Sequence, residues 1–257
     1  PWLYNKYVGH DNNRDSFMVN MVETQNIHRL QNKEWFPVII YNHHQTAPFP
    51  ARIFIPPNAE PVNPNYHPLL MRGKNLVGTA MGFAFDQEGK PGAISRISFD
   101  LWYPGYIDQV GDFFNTISIL TETALYRYAT PRFYTLEDLP KEYRDFTASV
   151  FYPSPWKGGW WRLTDAVEYC LTASKAVLTT AAKYRQELLY NKYQMGRDLI
   201  VRFQKEPPYA WIIPQGQWDP PTAALLLNKM KLMGIDVYQA DKNFSSDGIS
   251  YPAATWV

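Results

Sequence analysis

Apolar positions fall into two kinds of run along this chain. Short continuous runs read as buried strands. Residues 36–41 are rich in β-formers (Phe36, Val38, Ile39, Ile40, Tyr41) and pass at once into polar Asn42, His43, His44 and Gln45. Residues 117–120 form a second run that ends in Thr121, Glu122 and Thr123. Other apolar residues recur at helical spacing. Leu69, Leu70, Leu76, Val77, Ala80 and Met81 predict a helix over 68–85, and Phe17, Met18, Met21, Val22 and Leu30 predict one over 14–30. Strands alternating with helices specify an α/β fold with a mixed, largely parallel sheet and flanking helices. Sites in such sheets gather beyond the carboxyl ends of the strands, where His43, His44 and Glu122 are expected to sit.

A second block opens with aromatic, Pro-rich sequence and continues as a long helical pattern from Thr164 to about Tyr193. Its seam (Leu163, Val167, Cys170, Ser174, Val177, Ala181, Tyr184, Leu188) is heptad-like but short, which favours packing against its own domain over an intermolecular coiled coil. A third block reads as a βαβ unit. Residues 209–213 are strand-like, a helix begins after Asp219 with Pro220 and Pro221 in its first turn, Gly234 stops it, and residues 235–238 begin a parallel strand. Only Gly216 lies where a dinucleotide-binding turn needs three glycines. The expected division is therefore 1–135, a helical connector over 136–205, and the start of a βαβ-type domain over 206–257. The chain opens on Pro1 and its last residues, 250–257, read as a strand being entered, so a fragment of a longer protein is expected.

Composition narrows the function. With 257 residues, 46% of them hydrophobic and 19% charged, the chain can bury a large core. Lys and Arg number 25 against 24 Asp and Glu, which argues against nucleic acid as a partner. No apolar run is long enough for a membrane span, and no signal peptide is visible. The single cysteine, Cys170, excludes an internal disulfide framework and a cysteine-based zinc cluster. The 9 Trp and 18 Tyr point to broad aromatic packing.

Three elements carry candidate chemistry. Adjacent His43 and His44 on an extended backbone point to opposite faces, so one at most serves a given site; a packed or surface histidine is the plainer alternative. Glu122, after a buried strand, either meets solvent or is desolvated for a purpose. In the loop Gly9-His10-Asp11-Asn12-Asn13-Arg14-Asp15, Asn13 and Arg14 together offer an amide and a planar guanidinium to a carboxylate. The same loop could equally be a polar turn with Asp11 or Asn12 as a helix cap.

The order of these elements resembles the latter part of the zinc carboxypeptidases of the carboxypeptidase A-like (funnelin) family, especially its large bacterial multi-domain members. The matching stretches are GHDNNRD at 9–15, HQ at 44–45, ARIFIPP at 51–57, GTAM at 78–81 and ILTE at 119–122. The resemblance covers about residues 4–135 and extends more loosely beyond them. It implies that residues 1–135 are the C-terminal half of a metallopeptidase catalytic domain. Asn13 and Arg14 would bind the substrate's terminal carboxylate, and Asp11 would orient a metal-bound histidine. His44 would be a zinc ligand, preferred to His43 because it precedes Gln45. Glu122 would be general base and then general acid. A substrate-contacting tyrosine falls to Tyr103 or Tyr106. The implied partner is a peptide with a free C-terminal carboxylate, and the implied setting is secreted or periplasmic.

One part of the family pattern is missing. Its other two zinc donors come from a His-x-x-Glu upstream of the Asn-Arg loop, and none of the five histidines is followed by Glu at the third position. Two of the three protein ligands are thus expected outside this chain, which alone would be inactive. The alternatives are a pseudoenzyme that binds peptides or glycans on the same scaffold, and a zinc amidase acting on cell-wall peptides.

Overall fold

The computed structural model describes residues 3–4, 6–46, 50–125 and 129–257. Its helices are α1 (Val22–Arg29), α2 (Pro68–Gln87), α3 (Leu163–Lys183), α4 (Arg185–Phe203) and α5 (Pro220–Met233). Its strands are β1 (Ile39–Thr46), β2 (Ile53–Phe54), β3 (Ala93–Ile94), β4 (Ile117–Ala124), β5 (Arg132–Tyr134), β6 (Gly159–Trp161), β7 (Phe244–Ser246) and β8 (Ile249–Tyr251). The fold is mixed α/β. The chain forms two compact units, one of Val38–Tyr103 with Asp108–Lys192, the other of Pro1–Pro37, Pro104–Ile107 and Tyr193–Val257.

In the larger unit four strands form a sheet in the order β1-β4-β2-β3. The β1–β4 and β2–β3 pairs are parallel and β2–β4 is antiparallel. All eight residues of β4 are buried, as expected for a strand covered on both faces. Side chains alternate along it. Ile117 lies under Gly73 of α2, Thr121 bonds Tyr41 at 2.9 Å, and Thr123 meets Cys170 of α3 at 3.5 Å. Leu120 and Glu122 therefore project from the opposite face, where Leu120 packs with Ala51, Phe54 and Ile94.

Helix α2 starts where Pro68 occupies its first turn and His67 caps it, accepting from the Leu69 N–H at 3.1 Å. Leu70, Val77, Met81 and Phe85 form its buried stripe. Gly78 admits the Pro56 carbonyl so closely that any Cβ there would collide with it. Lys74, fully buried on the same helix, pairs with Asp112 at 2.8 Å and donates to the Ser118 carbonyl, tying α2 to β4. Burial pushes the Asp112 carboxyl up to about 7, a rise that Lys74 opposes. A second buried cation, Arg52, is boxed by aromatic rings, its guanidinium carbon 3.8 Å from the Trp156 centroid, 4.8 Å from Trp161 and 5.1 Å from Tyr134. The antiparallel β5–β6 pair brings Tyr134 and Trp161 to this box.

The smaller unit is built around α1 and α5. The predicted helix over 14–30 forms in its second half only. Asn12–Arg14 is a single 3-10 turn and the α-helix begins only at Val22. The cause is Asp15, whose buried carboxylate accepts from the N–H groups of Asn20 and Met21 and from the His10 ring, folding residues 15–21 into a loop. After α1 the chain winds into a π-helix, Leu30–Trp35, in which Asn32 bonds His28 and donates to the Met233 carbonyl at 2.9 Å. Helix α5 matches expectation, with Asp219 accepting from the Thr222 N–H and Gly234 ending the helix at φ 93°.

Three further expectations are corrected. The 164–193 pattern is two helices, broken at Tyr184 (φ −105°, ψ 24°) with neither Gly nor Pro to mark it; Leu188 is buried and Lys192 bonds the Phe114 carbonyl and the Thr116 hydroxyl. The βαβ unit is not formed. Residues 209–213 lie between Pro208 and Pro214 and, among the described residues, pair only through an antiparallel bridge from Ile213 to Trp256. Residues 235–238 likewise form no strand. Finally, of the 250–257 run only Ser250 and Tyr251 lie in a strand, as part of β8, which pairs with β7 across an Asp247-Gly248 turn with both residues at positive φ. No helix among the described residues is long and apolar enough to cross a membrane.

Removing the Lys74 charge should expose the dependence of α2 on its buried ion pair. Lys74→Met is expected to cost about 3 kcal/mol in urea unfolding, with part of the loss recovered in Lys74→Met/Asp112→Asn, because a lone buried carboxylate is worse than none.

Candidate active site

The polar end of β1 does not lie beyond the strand, as the pattern suggested, but inside it. His43, His44 and Gln45 continue the parallel ladder against Thr121, Glu122 and Thr123. The ladder hydrogen bonds are made by the backbone whatever the side chains, so a buried neighbour extends the strand through polar residues. Strict register then brings His44 and Glu122 side by side, with His44 Nδ1 3.7 Å from Glu122 Oε1.

The alternation separates the two histidines. His43 points toward α3, where its Nε2 lies 3.1 Å from Ser174 Oγ and its ring sits 4.2 Å from that of Tyr41. His44 points to the other face, with Glu122. On the other side of β4, Phe54 of β2 is the antiparallel partner of Glu122, so the carboxyl stands between an imidazole and an apolar ring.

Glu122 is only 8% exposed, and its Oε2 has no hydrogen-bond partner among the described residues. Burial, reinforced by the negative charge of Asp108, pushes its carboxyl up to about 7. A carboxyl poised there can both take and return a proton near neutral pH. Asp108 escaped notice in the sequence because a lone Asp in a loop carries no periodic or motif signal; its influence depends on tertiary proximity.

The second group of candidates belongs to the smaller unit. Asp11 caps the 3-10 turn, accepting from the Asn13 N–H at 2.8 Å, and lies 3.5 Å from Arg14 Nη1. The capping role weighed for this loop is therefore real. Asn13 Oδ1 accepts from the Ile107 N–H at 2.8 Å, a bond that does not use its NH2 group. Arg14 donates to the Asn13 carbonyl and its guanidinium lies over the Tyr106 ring at 4.5 Å. Tyr106 thus joins Asn13 and Arg14, whereas Tyr103 belongs to the larger unit with His44 and Glu122. The Arg14 side chain remains nearly half exposed, so its planar fork is held in place yet accessible.

Among the described residues no group of three His, Cys, Asp or Glu side chains could hold a metal ion. That is neutral toward zinc, because the resemblance puts two donors outside the chain. What is present suits one ligand and one base: an imidazole beside a buried carboxyl with an orphaned oxygen. No family model matches the chain, nor does any curated protein or solved structure.

The raised Glu122 value carries a pH signature. The folded state holds a proton on Glu122 between about pH 4.5, the ordinary glutamate value, and about pH 7. The folded state then binds more protons than the unfolded one, so this group's contribution to stability falls as pH rises through that window. Urea unfolding of the protein and of Glu122→Gln across the window should show the variant gaining up to about 3 kcal/mol relative to the parent, at roughly 1.4 kcal/mol per pKa unit.

Proposed function

We propose that this chain carries the acid-base half of a zinc carboxypeptidase-like site, acting on peptides with a free C-terminal carboxylate. The observation that supports it most is the register of β1 and β4, which sets an imidazole 3.7 Å from a buried carboxyl whose second oxygen has no hydrogen-bond partner among the described residues. An orphaned carboxylate oxygen is costly to bury, and such expense is characteristic of catalytic positions.

In this reading His44 supplies one zinc ligand, and a His-x-x-Glu outside the chain supplies the other two. Bound zinc would lower the pKa of its water and polarise the scissile carbonyl. Glu122 takes a proton from the attacking water at its orphaned Oε2 and returns it to the departing amine nitrogen. The raised pKa of Glu122 suits both transfers, since neither protonation state is strongly disfavoured near neutrality. Within the smaller unit, the resemblance would give Arg14 and the Asn13 amide the recognition of a terminal carboxylate, with Tyr106 lying over the guanidinium. The Asp11 contact with Arg14 keeps the fork oriented before substrate arrives.

The test is peptidase activity of the full protein with zinc, on matched peptides bearing a free or an amidated C-terminus. Glu122→Gln should lower kcat on the order of 10³-fold with folding retained. Arg14→Ala should lower kcat/KM for the free-carboxylate peptide roughly 100-fold and leave the amidated peptide unaffected. Unchanged turnover in Glu122→Gln would remove the mechanism. Equal loss on both peptides in Arg14→Ala would remove the carboxylate-binding role and favour an amidase. Loss of stoichiometric zinc in His44→Ala checks the ligand assignment separately.

A further inference from the structure

Helix α5 lies in the same compact unit as the Asn-Arg loop, and three hydrogen bonds join it to the segment that follows that loop. Asn32 donates to the Met233 carbonyl at 2.9 Å and Lys33 Nζ donates to the Lys231 carbonyl, which fixes the end of α5 against the π-helix. Gly234 permits that approach: its backbone turns at φ 93°, and a Cβ there would lie 3.3 Å from the Asn32 Cβ. One turn before Met233, Lys229 makes the third bond, donating to the Val19 carbonyl at 2.9 Å.

Val19 is a strained residue. It is β-branched, fully buried and held at φ 44°, in the left-handed region that such side chains rarely adopt. Strain of this kind persists where the surroundings over-determine it. The Val19 N–H donates to the Asp15 carbonyl at 2.8 Å, and the next two N–H groups donate to the Asp15 carboxylate, Asn20 at 3.1 Å and Met21 at 2.9 Å. The Val19 carbonyl accepts from Gln25 Nε2 at 3.0 Å as well as from Lys229. Residues 15–21 thus close into a knot about Asp15, the residue that directly follows Arg14. The 3-10 turn that carries Asn13 and Arg14 is three residues long, too short to hold its own shape. Asp11 and the Ile107 N–H fix its front, and the knot fixes its rear.

We propose that Lys229 is a positioning residue for the Asn-Arg loop: by holding the Val19 carbonyl it keeps the strained knot closed next to Arg14, and α5 serves as the brace of that loop. The inference rests on the reading of Asn13 and Arg14 as the receiver of a terminal carboxylate, and it gives the 206–257 segment a task in that reading. An ammonium suits the place, because a charged donor grips a carbonyl more strongly than a neutral one. Gln25 is a second, neutral donor to the same oxygen, so loss of Lys229 loosens the knot without emptying the carbonyl of partners. A guanidinium that shifts loses its planar, two-pronged match to a carboxylate while keeping its charge. The quantity that suffers is therefore capture of the substrate's terminus, with the proton transfers at Glu122 untouched.

The test uses the full protein with zinc and the matched peptides with a free or an amidated C-terminus. Lys229→Met is expected to raise KM for the free-carboxylate peptide about tenfold, to keep kcat within about twofold and to leave the amidated peptide unchanged. Amide exchange at Asn20 and Met21 should quicken about tenfold in the same variant. Lys229→Arg, which keeps a charged donor, should restore both quantities. In an Arg14→Ala background the KM effect of Lys229→Met should disappear, because both residues act through one guanidinium. If Lys229→Met does not fold, the shorter and polar Lys229→Gln is read in the same way. A loss shared by both peptides, or a KM effect that survives without Arg14, would overturn the proposal in favour of general support of the unit. Unchanged KM with unchanged exchange would overturn it outright. Quickened exchange beside an Arg14→Ala loss that is equal on both peptides would overturn it at the carboxylate reading, with the brace itself intact.

Discussion

The register between β1 and β4 is the constraint on which the candidate chemistry depends. A parallel ladder has one residue of freedom at a time, and a slip by one residue would exchange the faces of a strand. His44 would then join Tyr41 and Ser174 on the α3 side, and Glu122 would lose its imidazole. The apolar half of the ladder enforces the register for the polar half. Ile117 and Ile119 are buried on the helical face, Leu120 on the other, and none of them can change sides without exposing or clashing. Three apolar residues of β4 thus position two polar ones that contribute little to the core themselves.

Buried charge secures the elements around that ladder. Lys74 reaches from α2 to Asp112 and to the Ser118 carbonyl, which precedes Leu120 on β4. Arg52 precedes Ile53 of β2 and is enclosed by Trp156, Trp161 and Tyr134. Burial lowers the Arg52 pKa to about 10, which still leaves the guanidinium charged at neutral pH and attracted to the ring faces. Three of the chain's aromatic rings are placed on this cation. Glu122 is buried with its Oε2 unpartnered among the described residues, and burial, reinforced by Asp108, raises its pKa.

The Asn-Arg loop shows how residues that cap a turn can also hold a guanidinium in place. Asp11 caps a turn, Asn13 ties that turn to Ile107, and Tyr106 supports the face of Arg14. Each interaction is ordinary loop chemistry. Together they hold a guanidinium rigid while leaving it accessible, which an unsupported surface arginine would not achieve.

Local chemistry alone determined a good part of this protein. The Pro68 and Pro220 helix starts, the Gly234 stop, the strand cores at 39–41 and 117–120 and the opposed directions of His43 and His44 all follow from backbone geometry that each residue carries with it. The tertiary structure decided what depends on neighbours. Strands continued through His44 and Glu122 because a buried partner supplied their hydrogen bonds, and the strand-like run at 209–213 failed because no partner did. Asp15 removed the first half of a well-patterned helix by offering its carboxylate to two amides, and burial raised the Glu122 pKa, reinforced by Asp108 from a loop that no periodicity distinguishes. Periodicity records which faces of an element are apolar. It does not record which backbone or which charge will be waiting opposite them, and those pairings assembled the candidate site.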